Sequence, residues 1–468
     1  MLQNVARVIQ PIRIDVLPDD VLLEIFNFYM KKHTYYGDKR RAEAWQSLVH
    51  VCRRWRSLVL GSPRRLNLQL YFGPKTSISD TLDVWPALPL IVGGHMALSS
   101  GTDNVIAALG QANRVCQVKL WHLAGWQLEQ VLAAMPVSFP ELTHLRLFSD
   151  GETVPVIPDS FLDGSAPLLR FFELDGIPFP GLPNLLLSAT HLVTLYLSNI
   201  PHSGYISPES IVALLSVLSS LEWLSLVFQS PQSRPDHETR RPPSKLSVIP
   251  ALHYFLFKGV IEYLEDLVTD IDTPQLGELY ITFFNQIDFD TPRLAQFINR
   301  TPKLWKHDAT VQFNDNFAIV GLSPGTLRIT VSCREPDWQL SSIEQVCNSS
   351  LHPLSTVEVL KIKHRCSELV WRNNAIENTL WLQLLLPFTA VKTLYLCKEF
   401  TPGIAAAMQE LIGDRITEVL PSLRYIFVEE LAPSMQENIM QFIAARLLSD
   451  HPIAIYDWDE DINIKRMR

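Results

Sequence analysis

A short apolar pattern that returns along the chain constrains its fold more than any other feature of the sequence. An apolar residue is followed by apolar residues three and five places later, and successive copies begin 23 to 34 residues apart, with one step of 50. The alternation within each copy predicts a β-strand. The copies are VCQVKL (115–120), LTHLRL (142–147), LRFFEL (169–174), LVTLYL (192–197), LEWLSL (221–226), LHYFLF (252–257), LGELYI (276–281), TLRITV (326–331), VEVLKI (357–362), VKTLYL (391–396) and LRYIFV (423–428).

Repeats of this length with an L-x-x-L-x-L core are the sequence signature of leucine-rich repeats, in which each copy supplies one strand and one return segment. The apolar positions of a strand point into a core that no single copy closes, so neighbouring copies must stack to bury them. The step of 50 predicts one degenerate copy near Leu304. The predicted fold class is α/β: an irregular solenoid of parallel strands with helical return segments. The alternative is a conventional α/β domain with a parallel sheet.

The segments around the copies have their own patterns. We predict return helices over 206–219, 293–299 and 432–448, the first and last beginning near Pro208 and Pro433. Alternating residues predict further strands over 64–70, 83–92 and, as a last edge strand, 453–464. The polar, Pro-rich stretch 229–245 is typical of an exposed, mobile inserted loop.

The chain begins with a helical segment of different character, over residues 16–60. Two amphipathic helices are predicted there, the second ending at Gly61-Ser62-Pro63. Their apolar positions are Val21, Leu22, Ile25, Phe26 and Tyr29 in the first helix, and Leu48, Val51, Cys52, Trp55 and Leu58 in the second. So few residues make a marginal core, so we expect part of their apolar surface to be covered by a partner.

This segment resembles a known motif. LPDDVLLEIF (17–26) followed by LVHVCRRWRSLV (48–59) resembles the F-box, the motif by which a receptor subunit docks on the Skp-type adaptor of a cullin-RING ubiquitin ligase. The segment 31–43 is longer than the usual link between the motif's helices. The resemblance implies adaptor-binding roles for Leu17, Pro18, Val21, Leu22, Ile25, Phe26, Leu48, Val51, Cys52 and Trp55. The alternative is an ordinary helical hairpin packed on the rest of the chain.

The resemblance gives a domain plan. We expect an N-terminal lead (1–11), an F-box (12–62), a linker with the first atypical repeats (63–114), and a leucine-rich-repeat solenoid with a C-terminal cap (115–468). The arrangement also resembles the large F-box families of mushroom-forming fungi. The implied function is that of a substrate-recognition subunit of a Skp–cullin–F-box-type E3 ubiquitin ligase. A non-ligase leucine-rich-repeat scaffold is the alternative.

Charge and composition narrow the possible partners. Residues 1–70 hold twelve Lys or Arg against six acids, which leaves −15 on the remainder of a chain whose net charge is −9. An acidic body argues against nucleic-acid binding, and a basic head suits an acidic protein partner. Pro and charge interrupt every run that approaches the roughly 18 apolar residues of a membrane span. The start lacks a secretory signal, and six scattered cysteines are typical of reduced thiols, so we expect a cytoplasmic or nuclear protein.

A search for catalytic motifs favours a protein that is not an enzyme. Gly321-Leu-Ser-Pro-Gly325 fits the G-x-S-x-G pattern of a serine hydrolase, but the residue after the nucleophile must donate its backbone N–H, and Pro324 has none. We therefore predict a turn there and treat a hydrolase using Ser323 as a disfavoured alternative. Neither a phosphate-binding glycine loop nor a zinc-ligand spacing occurs, so we expect no cofactor and no metal.

The residues between the apolar positions of each copy predict a second surface. Side chains alternate along a strand, so these residues face away from the core. They are rich in Trp, Tyr and Arg, the residue types that dominate protein-binding hot spots. We therefore predict a protein-substrate surface that includes Trp121, Arg146, Phe148, Glu173, Tyr196, Trp223, Tyr254, Tyr280, Lys361, Tyr395 and Phe427.

Overall fold

Each of the predicted copies forms a strand, and helices connect most of them. The computed structural model describes residues 14–32, 38–96, 101–151, 153–232, 246–284, 288–323, 325–349, 351–365, 377–411, 413–429 and 433–458. The contacts between residues divide the chain into an N-terminal unit (Met1–Pro155 and Ser160–Leu169) and a C-terminal unit (Val156–Asp159 and Arg170–Arg468).

The N-terminal unit combines a helical head with four strands. Its helices are α1 (Asp19–Lys32), α2 (Asp38–Val49), α3 (Arg53–Gly61), α4 (Ile78–Leu82), α5 (Thr102–Leu109) and α6 (Gly125–Ala133). Its strands are β1 (Leu70–Phe72), β2 (Leu90–His95), β3 (Val115–Leu123) and β4 (His144–Ser149). They pair in chain order and all in parallel.

The C-terminal unit continues the alternation of strand and helix. Its strands are β5 (Phe171–Asp175), β6 (Thr194–Ile200), β7 (Trp223–Phe228), β8 (Ser247–Val248), β9 (Tyr254–Gly259), β10 (Ile271–Asp272), β11 (Glu278–Phe283), β12 (Asp308–Phe313), β13 (Phe317–Ser323), β14 (Leu327–Ser332), β15 (Val359–His364), β16 (Thr393–Leu396), β17 (Tyr425–Val428) and β18 (Ala454–Asp457). Its helices are α7 (Leu182–Leu186), α8 (Pro208–Leu215), α9 (Ile261–Thr269), α10 (Pro292–Asn299), α11 (Pro336–Ser349), α12 (Asn378–Leu385), α13 (Thr401–Gln409) and α14 (Pro433–Leu448).

Most strands of this unit pair in parallel. The main order is β5-β6-β7-β9-β11-β14-β13-β12-β15-β16-β17-β18, and β8 pairs separately with β10. Along a strand such as β9, buried and half-buried residues alternate. Neighbouring helices pack on one another from α7 to α10 and from α11 to α14. The predicted α/β class with mostly parallel strands is confirmed. The predicted return helices are found at α8, α10 and α14.

The predicted degenerate copy and the weak copy 326–331 both exist, as β12 and β14, but in an arrangement that the sequence did not predict. An additional strand, β13, lies between them and runs antiparallel to both. Val311, Val320 and Ile329 stand opposite one another across the three strands, and all are fully buried. The long step of 50 residues therefore holds an antiparallel meander. The turn predicted for Gly321–Gly325 is found only at its end: Gly321 to Ser323 belong to β13, Gly325 lies in a turn, and Pro324 lies outside the described residues.

The prediction of a strand over 64–70 is wrong. Residues 63–67 form turns, in which the amides of Leu66 and Leu68 donate to the carbonyls of Ser62 and Pro63. Asn67 has a φ of 49°, a left-handed conformation that ends an extended segment. Leu66 and Leu68 are nevertheless buried. The alternation of apolar and polar residues in 64–70 therefore indicates burial within turns and not a β-strand.

Three other predicted segments agree with the structure only in part. The strand predicted over 83–92 begins only at Leu90. Of the predicted edge strand 453–464, residues 454–457 form β18, and 459–464 lie outside the described residues. In the predicted exposed loop 229–245, Gln229 and Pro231 are exposed, whereas Gln232 is 3% exposed and donates to the carbonyl of Ile200; residues 233–245 lie outside the described residues.

The sequence analysis predicted reduced cysteines and no membrane-spanning segment. The five described cysteines are free, and four of them are buried. Cys366 lies outside the described residues. In the part of the chain that the structure describes, no helix is both long and apolar enough to cross a bilayer.

The alternation of buried and exposed side chains predicts at which positions shortening a side chain lowers the free energy of unfolding. Leu195 of β6 is fully buried, whereas Leu187, which follows α7, is 49% exposed. Leu195→Ala should lower the free energy of unfolding by about 2–5 kcal/mol, because it leaves a cavity between packed layers. Leu187→Ala should change it by no more than about 0.5 kcal/mol. Urea unfolding of the two variants measures the difference, and equal losses would contradict the assignment of β6 to the core.

Candidate functional site: the helical head and the aromatic strand face

The head has three main helices where two were predicted, because the second predicted helix is interrupted. Helix α2 ends at Val49 and α3 begins at Arg53. Cys52 has extended backbone and caps α3, since its Sγ accepts a hydrogen bond from the amide of Trp55 at 3.5 Å. A residue that caps one helix cannot continue another, so the apolar pattern from Leu48 to Leu58 belongs to two helices.

Helix α1 carries apolar residues on two sides. Leu22 and Phe26 are buried on its inner side. On its outer side, Val21 and Ile25 are each 40% exposed and Phe28 is 75% exposed. Their spacing of four and three residues places these three side chains in one line along the helix. We call Val21, Ile25 and Phe28 the α1 stripe.

The start of α3 lies beside the start of α1. One Nη of Arg54 is 2.6 Å from the carbonyl oxygen of Leu17 and 2.6 Å from a carboxylate oxygen of Asp19. The ring of Trp55 lies 4.7 Å from that of Phe26, and Val51 in the preceding turn is 58% exposed. The segments 17–26 and 51–55 are therefore brought together at one end of the head.

The structure corrects part of the predicted adaptor-binding set. Leu22, Phe26 and Leu48 are at most 6% exposed, so their side chains form the core of the head and offer no contact surface. Pro18, Val21, Ile25, Val51 and Cys52 are exposed, and Leu17 and Trp55 are half-buried. Sequence reasoning missed Phe28, although its distance of seven residues from Val21 indicates the same side of the helix.

Trp45 joins the head to the strands of its unit, and sequence reasoning missed it too. Its side chain is 1% exposed, and its indole N–H donates to the carbonyl of Gln69, just before β1, at 2.9 Å. Its ring meets that of Trp85 edge to face at 4.9 Å. The head thus has an inner surface fixed by Trp45 and an outer surface that includes the α1 stripe.

The contacts of Trp45 predict that its removal affects the helices of the head. Trp45→Ala removes a fully buried indole and its hydrogen bond, a loss of about 3–5 kcal/mol from the packing that holds the head. Hydrogen–deuterium exchange should therefore accelerate in α1, α2 and α3, with little change in α14. Substitution of the exposed Trp126 by Ala is the matched control. Unchanged exchange in the head of Trp45→Ala would contradict the anchoring role.

In the N-terminal unit the outward strand face carries stacked rings. Trp121 lies 6.3 Å from Phe148 and 5.4 Å from His95, with rings nearly parallel in both pairs. Lys119 stands opposite Arg146 in the register of β3 and β4, though Lys119 is mostly buried. The predicted residues Trp121, Arg146 and Phe148 are all half-buried on this face.

In the C-terminal unit a first group of rings crosses β5 to β11. Trp223 lies 5.1 Å from Tyr254, which lies 5.4 Å from Tyr280. Tyr196 stands opposite Glu173 in the strand register. Trp223 is 38% exposed, while the other members of the group are half-buried.

A second group crosses β15 to β18. The rings of Tyr395 and Phe427 stack at 4.7 Å, and Phe427 stacks on Tyr456 at 5.2 Å. The Nζ of Lys361 lies 5.5 Å from the centre of the Tyr395 ring, within the range of a cation–π interaction. Sequence reasoning missed Tyr456, which continues the stack and is 48% exposed. All predicted strand-face residues thus lie on the side opposite the core.

Burial changes the ionisation of this face. Burial raises the pKa of Tyr254, Tyr280 and Tyr395. At Tyr280 a second cause is the hydrogen bond of its hydroxyl to Glu278, and its single proton is shared between that carboxylate, at 3.1 Å, and the carbonyl of Gly325, at 2.9 Å. These tyrosines remain neutral hydrogen-bond donors at any physiological pH.

The raised pKa of Tyr280 predicts a pH effect. Above about pH 10 the unfolded chain releases the phenolic proton while the folded chain still holds it, so stability falls as the pH rises through the folded pKa. Tyr280→Phe removes this contribution, so its free energy of unfolding should fall less steeply between about pH 9 and about pH 11 than that of the unaltered chain. Denaturant unfolding across this pH range measures both slopes. Identical slopes would contradict the raised pKa.

The buried cysteines are shifted away from the reactive thiolate form. Burial raises the pKa of Cys116 to about 11, and it also raises the pKa of Cys333, Cys347 and Cys397, which makes these thiols poor nucleophiles. In the described ranges, no three His, Cys, Asp or Glu side chains are grouped so that they could hold a metal ion.

Two comparisons with known proteins found no relative of this chain. A scan against protein-family models gives no matching family, and a search of curated proteins gives no significant match.

Proposed function

We propose that the chain is a substrate-recognition subunit of a Skp–cullin–F-box-type E3 ubiquitin ligase, acting in the cytoplasm or nucleus. The head would bind the Skp-type adaptor, and the strand face would hold a protein substrate. The observation that carries the proposal is the α1 stripe, an exposed apolar line on a helix whose opposite side is already buried. It lies in the segment that resembles the F-box.

The energetics of the stripe support partner binding. Covering a Val, Ile or Phe side chain contributes about 1.5–3 kcal/mol when it is fully buried. These three side chains are exposed, as is Val51 elsewhere in the head, and such apolar side chains form the centres of protein interfaces. Residues 1–70 carry an excess of six positive charges, which would steer the head toward an acidic partner.

The remainder of the chain suits the holding of a substrate. We interpret it as an irregular leucine-rich-repeat solenoid, in which the meander of β12, β13 and β14 replaces one regular repeat. Its outward residues include the two ring groups, and half-buried Tyr and Trp side chains bind partners at a low cost in side-chain entropy. A receptor of this kind acts by proximity, because ubiquitin transfer is carried out by other subunits of the assembly.

The adaptor contact is tested with the full chain and a purified Skp-type adaptor. Ile25→Asp combined with Val51→Asp places charges on two exposed apolar positions, and should weaken binding at least about tenfold, since an unpaired carboxylate would be buried in the interface. Isothermal titration or a pull-down at micromolar concentration measures the change. Leu448→Asp, at a leucine that is 90% exposed in α14, is the matched control and should bind as the unaltered chain does.

The outcomes separate the alternatives. Failure of the unaltered chain to bind any Skp-type adaptor would contradict the proposal and favour a leucine-rich-repeat scaffold without a ligase role. Equal binding of the double variant and the control would show that the adaptor uses another surface.

A further inference from the structure

A small pocket in the C-terminal unit is lined by residues that belong to neither of the two ring groups. It has a volume of about 290 Å³, close to the lower end of ligand pockets, which span roughly 300–1,000 Å³. Its walls come from segments that follow β6, β7 and β9, three neighbouring parallel strands. It therefore lies at the carboxyl ends of these strands, where parallel sheets usually bind their ligands.

Two carboxylates stand on one side of the pocket. Glu262 and Asp266 are four residues apart on α9, which places them on the same side of the helix. Asp266 already accepts a guanidinium of the chain itself, with 3.2 Å between its Oδ1 and an Nη of Arg293. Glu209 and Asp270 add negative charge nearby. Among the described residues, Arg293 offsets only part of this negative charge, so these carboxylates favour a cation.

The other walls are apolar and aromatic. Tyr263 is almost fully buried, and its hydroxyl donates to the carbonyl of Ile206 at 2.8 Å, which fixes the ring. Tyr205 meets it edge to face at 6.0 Å and is only half-buried. Flat cations pack well on tyrosine rings, because the ring face is electron-rich.

A buried acceptor without a donor supplies the decisive observation. Gln232 belongs to the pocket wall and is 3% exposed. Its Nε2 donates to the carbonyl of Ile200 at 2.8 Å, whereas its Oε1 has no hydrogen-bond partner among the residues that the structure describes. A buried acceptor left unpaired is unfavourable, so a ligand that brings N–H donors would be stabilised here.

From these walls we infer that the pocket binds a guanidinium group, supplied by an arginine side chain of a partner peptide. A guanidinium is planar, always charged and carries five N–H donors, so it matches the carboxylates, the Tyr205 ring and the Gln232 acceptor together. The inference goes beyond the proposed adaptor role and does not depend on it. In a substrate receptor the pocket would bind one arginine side chain of the substrate protein.

Isothermal titration of the full chain with N-acetyl-arginine methylamide tests the inference. The neutral citrulline analogue has nearly the same shape and should bind at least about tenfold more weakly, because it lacks the charge. Glu262→Gln should weaken the arginine derivative by about tenfold, and the exposure of Glu262 means that the fold is retained. Glu222→Gln, an exposed position at the other end of β7, is the matched control and should bind like the unaltered chain.

The outcomes are distinct. Binding that is charge-dependent and weakened by Glu262→Gln supports the pocket, and tighter binding of the arginine derivative than of methylguanidinium supports a peptide over a small guanidine as the source. No binding at millimolar concentration, or equal binding of the citrulline analogue or of the Glu262→Gln variant, would overturn the inference.

Discussion

The leucines and phenylalanines that alternate along each strand must be covered by neighbouring strands and helices, and the remaining structure follows from this requirement. Leu195, Leu224, Phe255 and Leu279 are all fully buried, and they stand side by side in the register of β6, β7, β9 and β11. One strand has no means of burying such a residue alone. The same alternation turns the intervening residues outward, so the core fixes which side chains form the opposite face.

That outward face is only half-buried, and its aromatic rings pack against one another. Stacked and tilted aromatic pairs hold their side chains in place before any partner arrives, which lowers the entropy lost on binding. The head follows a different principle. Trp45 fixes its inner side on the first strand, whereas the α1 stripe has apolar side chains exposed to water. The chain therefore offers two surfaces with distinct chemistry, one aliphatic on a helix and one aromatic on strands.

The sequence predicted features that depend on local periodicity and missed those that depend on distant contacts. The L-x-x-L-x-L copies located the strands because every second residue of these strands is buried and the sequence has apolar residues at those positions. The same rule failed at Leu66 and Leu68, where turns bury alternate residues without forming a strand. Strand β13 was missed because its run of apolar residues carries no repeat spacing, and its partners on either side are decided by tertiary pairing.

In the candidate site, the motif predicted the region but not the side that each residue faces. Leu22 and Ile25 both fit the apolar pattern of α1, yet one is buried and the other exposed, because only the packing of α2 and α3 decides between them. The account depends most on the claim that a partner covers the outer side of α1. Hydrogen–deuterium exchange and surface labelling of the full chain, with and without a Skp-type adaptor, measure this directly. Protection confined to residues 17–28 and 51–55 is predicted, whereas adaptor binding that leaves these residues as accessible as in the free chain would contradict the claim.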